Sequence, residues 1–465
     1  MAETATQLTF TLNGESIATP SAATTTLLQY LQQIGRTGTK QGCGDGDCGA
    51  CTVAIVGTDA NGKPNYQAVN SCLIPLGSVA GRAIVTVEGL AGEQLHPVQA
   101  AMVETGGSQC GYCTPGFIMS LFAAYYSGQV DDASVEGNLC RCTGYLSIRQ
   151  AAAQVNNAQP NDEFERQLQA VNCVPTALQY RDRFYRPTHL AEAIALLQEH
   201  PDATLMAGAT DLCLDMSHDR RRFAKLISLE ALPELLTIDR SGLAVEIGAA
   251  VPLTQIEMAL HGEFPALDAM LHLFAARQIR NRATLGGNIG TASPIGDLPP
   301  ILLALDADLR IAGQTGERTL PIAQFFQGYR QTDLQPGELI VSVKIPRSIH
   351  PSAVRRLSQS YKVGKRGTDD ISTVAAAFAI DLDADDRIVQ ARLAYGGVAA
   401  TPVRAIAIEQ QLIDRTWSLE TIQQIKPLLR ETFAPLTDLR GSAAYRKLLI
   451  ANLFEKFFVE TLQSQ

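Results

Sequence analysis

Three observations predict an α+β chain of several domains. The 465 residues correspond to about three domains of ordinary size. Apolar residues make up 46% of the chain, enough for more than one packed core. The apolar pattern also changes period along the chain, from alternation near the N-terminus, to helical spacing after about residue 93, to alternating strands and helices from about residue 184.

The elements follow in order. Leu8 to Ala18 alternates apolar and polar residues around Asn13-Gly14, a pair that favours a type I′ turn, so a hairpin is predicted. Thr26 to Ile34 carries Leu27, Leu28, Leu31 and Ile34 at helical spacing. With strands over 52–56 and 83–88, residues 1–90 read as a small mixed sheet crossed by one helix. In 91–157, His96-Pro97 and Pro115 open two helices, and 138–145 leads into another short helix. The polar run from Asn156 to Asp162 opens a linker, 158–178. Strands and helices then alternate over 179–348. In 349–465, strands are predicted over 372–382 and 388–395, followed by a mainly helical stretch over 403–461.

Eight of the ten cysteines fall into two sets in the first third of the chain. Cys43, Cys48 and Cys51, followed by Cys72, form C-x4-C-x2-C with a distant fourth cysteine, the plant-type 2Fe-2S spacing. Cys110 and Cys113, with Cys140 and Cys142, pair a C-x2-C with a C-x-C. Glycines crowd the first loop and let backbone amides turn toward sulfur, which tunes a redox cluster and has no use at a zinc site. For the second set structural zinc remains an alternative, because C-x2-C with a distant pair is also a zinc signature. Cys110 and Cys113 precede a helix N-terminus, whose dipole favours anionic thiolates. Two four-thiolate sites side by side point to electron transfer. Cys173 and Cys213 stand outside both sets and are read as core residues.

Two further segments are rich in small residues. Leu205-Met206-Ala207-Gly208-Ala209-Thr210 runs a strand into a turn whose amides could approach a pyrophosphate, with a plain strand-turn as the alternative. Ala283 to Asp297 is uncharged until Asp297 and suits close approach to phosphate and ribose, or else forms a glycine-rich turn between core strands. The G-x-G-x-x-G at Gly44, Gly46 and Gly49 is spurious, because it lies inside the cysteine loop rather than between a strand and a helix. A formal charge of -9 argues against a nucleic-acid partner. No uncharged apolar stretch reaches the roughly twenty residues of a membrane span. The first ten residues, MAETATQLTF, lack a secretory signal, so a cytoplasmic, disulfide-free chain is expected.

Gln109-Cys110-Gly111-Tyr112-Cys113-Thr114-Pro115-Gly116, Asn138-Leu139-Cys140-Arg141-Cys142-Thr143-Gly144-Tyr145 and Leu285 to Asp297 resemble motifs of the molybdenum hydroxylase family, and specifically the iron–sulfur and flavin subunit of its bacterial xanthine dehydrogenases. The resemblance covers nearly the whole chain. It implies a β-grasp plant-ferredoxin-like domain, a helical 2Fe-2S domain, a vanillyl-alcohol-oxidase-type FAD domain and a C-terminal α+β flavoprotein domain.

By that resemblance, residues 205–210 wrap the FAD pyrophosphate, and Thr284, Asn288, Ser293 and Asp297 belong to the FAD motif, the last three contacting phosphate or ribose. Phe274, Ile340 and Lys362 fall at further flavin positions, and Tyr329 falls on the nicotinamide side, with a hydrophobic tyrosine at a strand end as the alternative. Ala209 departs from the family's usual glycine or asparagine, which puts one backbone contact in doubt. Gln109 and Cys142 face a molybdopterin on a separate large subunit, expected in an (αβ)2 heterotetramer. The implied activity is oxidation of hypoxanthine and xanthine to urate. Electrons would pass from the molybdopterin to the helical-domain cluster, the plant-type cluster, FAD and NAD+. The segment 363–373 borders access to the flavin and so bears on whether NAD+ or dioxygen is the acceptor. Two other readings compete: the equivalent subunit of a hydroxylase acting on aldehydes or N-heterocycles, and an electron carrier or scaffold with zinc in one site.

Overall fold

The computed structural model describes residues 4–59, 61–156, 160–170, 173 and 175–463. The expected linker residues Asn157, Ala158, Gln159, Val171, Asn172 and Val174 lie outside the described residues. The chain forms two compact units. The first comprises Met1–Pro233 with Pro252–Gln255 and Ala275–Thr284, and the second comprises Glu234–Val251, Ile256–Phe274 and Leu285–Gln465.

In the first unit, the predicted hairpin forms as Leu8–Leu12 and Glu15–Thr19, with Asn13 and Gly14 both at positive φ as a type I′ turn requires. Leu8, Phe10 and Leu12 are buried while Thr9 is exposed, so the alternation seen in the sequence is the inward face of the strand. The sheet runs in the order Glu15–Thr19, Leu8–Leu12, Ala83–Val85, Thr52–Thr58, Pro64–Asn70, with a parallel pairing between Leu8–Leu12 and Ala83–Val85. The crossing helix Leu27–Gln33 is capped by Thr26, whose hydroxyl accepts from the Gln29 amide while the Gln29 side chain returns to the Thr26 amide.

Two expectations change here. The strand Pro64–Asn70 carries polar residues and was not foreseen; its alternate residues Tyr66 and Ala68 supply the buried face. The strand from Ala83 is shorter than predicted, ending at Val85 before a 3-10 turn over Val87–Leu90.

Helices Pro97–Glu104, Thr114–Ser127 and Leu146–Val155 follow as expected, the first two with proline in the first turn. The segment read as linker carries an unforeseen helix, Glu163–Ala170. Phe164 packs its ring 5.1 Å from Phe122, and Asp162 accepts from the Tyr126 hydroxyl at 2.6 Å, so a polar run with only two large apolar residues is held by tertiary contact. A second sheet in this unit runs Thr4–Ala5, Leu178–Tyr180, Phe184–Arg186, Leu226–Ser228, Thr204–Met206.

The second unit has an antiparallel sheet in the order Ile238–Asp239, Ala244–Gly248, Leu339–Pro346, Asp308–Gly313, Gly316–Pro321. A further antiparallel sheet runs Arg355–Val363, Val374–Leu382, Ile388–Gly396, Val403–Arg404. Every residue of Val374–Leu382 is buried, as in a strand covered on both faces. Helices Ile406–Leu412, Leu419–Glu431 and Ala443–Gln463 fill the stretch predicted as helical. The strand Arg355–Val363 was missed because polar side chains dominate its half-buried sequence.

Candidate functional site

The cysteine loops lie in the first unit. Residues 42–51 form an irregular loop between the crossing helix and the strand Thr52–Thr58. Its amides turn toward sulfur: the Cys43 N–H donates to Cys48 Sγ and the Asp45 N–H to Cys43 Sγ, each at 3.3 Å. Cys72 sits in the 3-10 turn Ser71–Leu73, with its Sγ 3.3 Å from Cys51 Sγ. In the second set, Cys113 caps the helix Thr114–Ser127. The Cys140 amide donates to the Tyr145 hydroxyl at 2.9 Å, which turns the 140–145 loop back on itself. Cys51 and Cys72 are buried, while Cys110 and Cys142 are exposed.

The eight sulfurs form pairs. Cys43 is raised and Cys48 lowered to about 6 by the hydrogen bond between them. Cys72 is raised and Cys51 lowered in the same way. Burial, with the Cys140 sulfur beside it, pushes Cys113 up to about 12. Cys140 is lowered against its own burial by the Thr143 hydroxyl and nearby backbone amides. Cys142 is raised chiefly by its hydrogen bond with Cys110. A cationic centre would favour the thiolate form of both members of each pair. Two pairs per site match two irons with two thiolates each, the donor set of a 2Fe-2S cluster. Among the described residues, no three His, Cys, Asp or Glu side chains converge on a single metal ion.

The flavin candidates fall in both units. In the first, Thr204–Met206 leads into residues 207–210, and a Cβ on Gly208 would lie 1.8 Å from the Arg282 carbonyl oxygen, so the loop packs backbone to backbone against 275–284. Ala209 stands at φ 68°, the left-handed conformation that glycine or asparagine adopts more readily, so the sequence departure noted there carries a real backbone cost. Thr284 is buried and bridges to Pro252.

In the second unit, the glycine-rich run forms the short helix Leu285–Gly290 rather than a turn between strands. Asn288 Oδ1 is buried without a hydrogen-bond partner, an acceptor that a ribose hydroxyl would satisfy. Asp297 accepts from Lys362 Nζ at 2.8 Å and from the Ser372 hydroxyl at 2.5 Å, and the Lys362 side chain is only 2% exposed. Ser293 is half-buried, and its hydroxyl accepts from the Ile295 amide. Ile340 is buried at a bulge in the Leu339–Pro346 strand, and Phe274 is half-buried at the end of helix Pro265–Leu273. Tyr329 is 63% exposed, in the turn between Phe326–Gly328 and Gln331–Thr332. In the first unit the close backbone approach at Gly208 fits a pyrophosphate, and in the second unit the orphaned Asn288 oxygen fits a ribose hydroxyl.

Four family models match the chain. A 2Fe-2S iron-sulfur cluster binding domain covers residues 10–77 and a [2Fe-2S] binding domain covers 86–153. The FAD binding domain in molybdopterin dehydrogenase covers 178–348, and the CO dehydrogenase flavoprotein C-terminal domain covers 359–461. The chain belongs to the molybdenum hydroxylase family. It is 32% identical to xanthine dehydrogenase 1 of Arabidopsis thaliana over 93% of its own length, and it spans 38% of that relative. It is 31% identical to xanthine dehydrogenase/oxidase of Rattus norvegicus, over 99% of this chain and 39% of that one. Among solved structures, CO dehydrogenase from Oligotropha carboxidovorans matches at 27% identity with a TM-score of 0.55, covering 59% of this chain and 95% of that one. Quinoline 2-oxidoreductase from Pseudomonas putida 86 matches at 26% identity with a TM-score of 0.55, covering 63% and 98%.

In this molybdenum hydroxylase chain the second cysteine set therefore lies in a 2Fe-2S domain, which removes the reason for assigning it to zinc. Sequence reasoning missed three residues that shape these sites. Ser372 partners Asp297, His218 Nε2 lies 2.7 Å from Asp45 Oδ1 on the first cysteine loop, and Gln278 reaches the loop before Cys140. All three are ordinary polar residues far in sequence from what they touch, and no spacing rule marks them.

Proposed function

We propose that the chain passes electrons from a molybdopterin centre on a separate large subunit through two 2Fe-2S clusters to FAD and then to NAD+, during oxidation of hypoxanthine and xanthine to urate. The observation that carries this reading is the adjacency of the two four-cysteine sites, joined where the Leu139 N–H donates to the Cys48 carbonyl at 3.0 Å. The clusters move electrons singly and the flavin exchanges them in pairs with NAD+. Cys43, Cys48, Cys51 and Cys72 hold one cluster, and Cys110, Cys113, Cys140 and Cys142 hold the other. Gln109, Cys110 and Cys142 are exposed, as a face toward the large subunit requires. Residues 205–210, Phe274, Thr284, Asn288, Ser293, Asp297, Ile340 and Lys362 hold the flavin, and exposed Tyr329 meets the nicotinamide. The assembly is an (αβ)2 heterotetramer in the cytoplasm. Among the described residues no helix is long and apolar enough to cross a membrane.

The test is NAD+-dependent oxidation of xanthine by this chain co-purified with its large subunit, alongside iron, flavin and molybdenum content. Urate formation with four irons and one FAD per chain supports the reading. The likeness to quinoline 2-oxidoreductase and CO dehydrogenase favours a second reading, a hydroxylase for another substrate, and the same cofactors without xanthine turnover would select it.

A further inference from the structure

A buried polar network in the first unit ties the two cysteine loops together. Asn138, 2% exposed, stands two residues before Cys140. Its Nδ2 donates to the Gly49 carbonyl at 2.9 Å and to the Thr52 hydroxyl at 3.3 Å. Its Oδ1 accepts from the Ser120 hydroxyl at 2.6 Å and from Gln278 Nε2 at 3.0 Å. Gln278 Nε2 also donates to the Ser120 oxygen at 3.0 Å, which closes a three-residue ring of hydrogen bonds. Beside it, the Leu139 N–H holds the Cys48 carbonyl. Two consecutive carbonyls of the first loop, Cys48 and Gly49, are thus gripped by two consecutive residues leading into Cys140.

Gln278 arrives from far along the sequence, on the segment 275–284. That segment is fastened by Arg280 to Glu136 at 2.7 Å, by Asn281 Nδ2 to the Ala68 carbonyl at 2.8 Å and by Arg282 to Glu230 at 3.0 Å. Gln278 is 1% exposed, and its Oε1 accepts no hydrogen bond. A half-satisfied buried amide is a net cost that an apolar side chain of the same volume would avoid. What the amide does supply is a donor to both Asn138 Oδ1 and the Ser120 oxygen. An asparagine amide can present oxygen or nitrogen in either direction. With Gln278 Nε2 and the Ser120 O–H both donating to Asn138 Oδ1, a flipped Asn138 would set donor against donor and would withdraw Nδ2 from Gly49.

We propose that Gln278 is a positioning residue for electron passage between the two cysteine sites: through Asn138 it fixes the spacing of the Cys48 and Cys140 loops. The proposal rests on the reading that these cysteines hold two 2Fe-2S clusters. The test compares the wild-type full chain with Gln278→Met, which keeps volume and removes the donor, and with Ser120→Ala, which removes the second donor and leaves Gln278 in place. Iron content, the separate electron paramagnetic resonance signal of each cluster and the magnetic splitting between the two reduced clusters are read on each. Four irons and both signals in every protein, with the splitting altered or lost in Gln278→Met and shifted the same way in Ser120→Ala, support the proposal. Full iron with unchanged splitting in both variants overturns it, as does iron loss confined to the variants, which would make Gln278 a residue of the fold. A wild-type chain without four irons overturns the cluster reading and the proposal with it.

Discussion

Glu230→Gln should strongly destabilise the first unit. Glu230 is 8% exposed and faces three guanidinium groups. Arg82 and Arg282 donate to its Oε2 at 2.7 and 3.0 Å, and Arg186 Nη1 stands 3.7 Å from its Oε1. The remaining donors of Arg186 reach the carbonyls of Thr176, Gly77 and Ala80, and Arg82 Nε reaches that of Ser78, so neutral acceptors satisfy the hydrogen bonds while one carboxylate balances three cations. Removing one partner of a buried ion pair costs about 3–5 kcal/mol. The carboxyl itself gives a similar figure. Although burial alone would raise it, Arg82, Arg282 and Arg186 draw it from 4.5 down to about 2, which corresponds to about 3 kcal/mol.

Because the folded-state value is depressed, this stabilisation is fully present above pH 4.5 and is lost as pH falls through about 2. At about 2–4 °C per kcal/mol for a unit of this size, the variant should melt roughly 10 °C below wild type near neutral pH, followed by loss of visible cluster absorbance. The gap should close as pH drops from 4.5 toward 2. A variant melting within about 1 °C of wild type, or a gap that stays constant across that window, would refute the reasoning.

Cys43→Ser should leave two irons per chain and abolish one of two paramagnetic signals; four irons would contradict the ligand assignment. Gly208→Ala forces a methyl to within 1.8 Å of the Arg282 carbonyl, so flavin content should fall while iron content holds, and a full complement of FAD would show that the loop does not carry the cofactor. Tyr329→Ala should lose NAD+ reduction more than reduction of an artificial dye, and equal losses would remove the nicotinamide role.

Local patterns carried much of the fold into the sequence. The Asn13-Gly14 turn and the prolines at the starts of Pro97–Glu104 and Thr114–Ser127 each act within a few residues, and each is where its pattern placed it. The cysteine loops were legible for the same reason, since thiolate ligands from one turn must sit at fixed spacing. What the sequence hid depends on distant partners. Glu163–Ala170 is polar and short, and its contacts come from Tyr126, Phe122 and Tyr66, all earlier in the chain. Strands Pro64–Asn70 and Arg355–Val363 take their stability from neighbours across a ladder rather than from their own residues.

Segment 275–284 makes the same point at the level of the sites. In sequence it lies inside the FAD-binding match, yet it packs as part of the first unit and reaches Glu136, Ala68, Asn138 and Glu230 there. Its carbonyl at Arg282 also receives the close approach of Gly208. One ten-residue stretch therefore touches the loop before Cys140, the strand that precedes Cys72 and the turn proposed for the pyrophosphate. A boundary drawn by sequence order between iron–sulfur and flavin parts would cut these contacts. The first unit is better understood as a cluster module completed by stretches of the flavin half of the chain, among them 275–284, whose polar residues hold backbone carbonyls and buried charges in register.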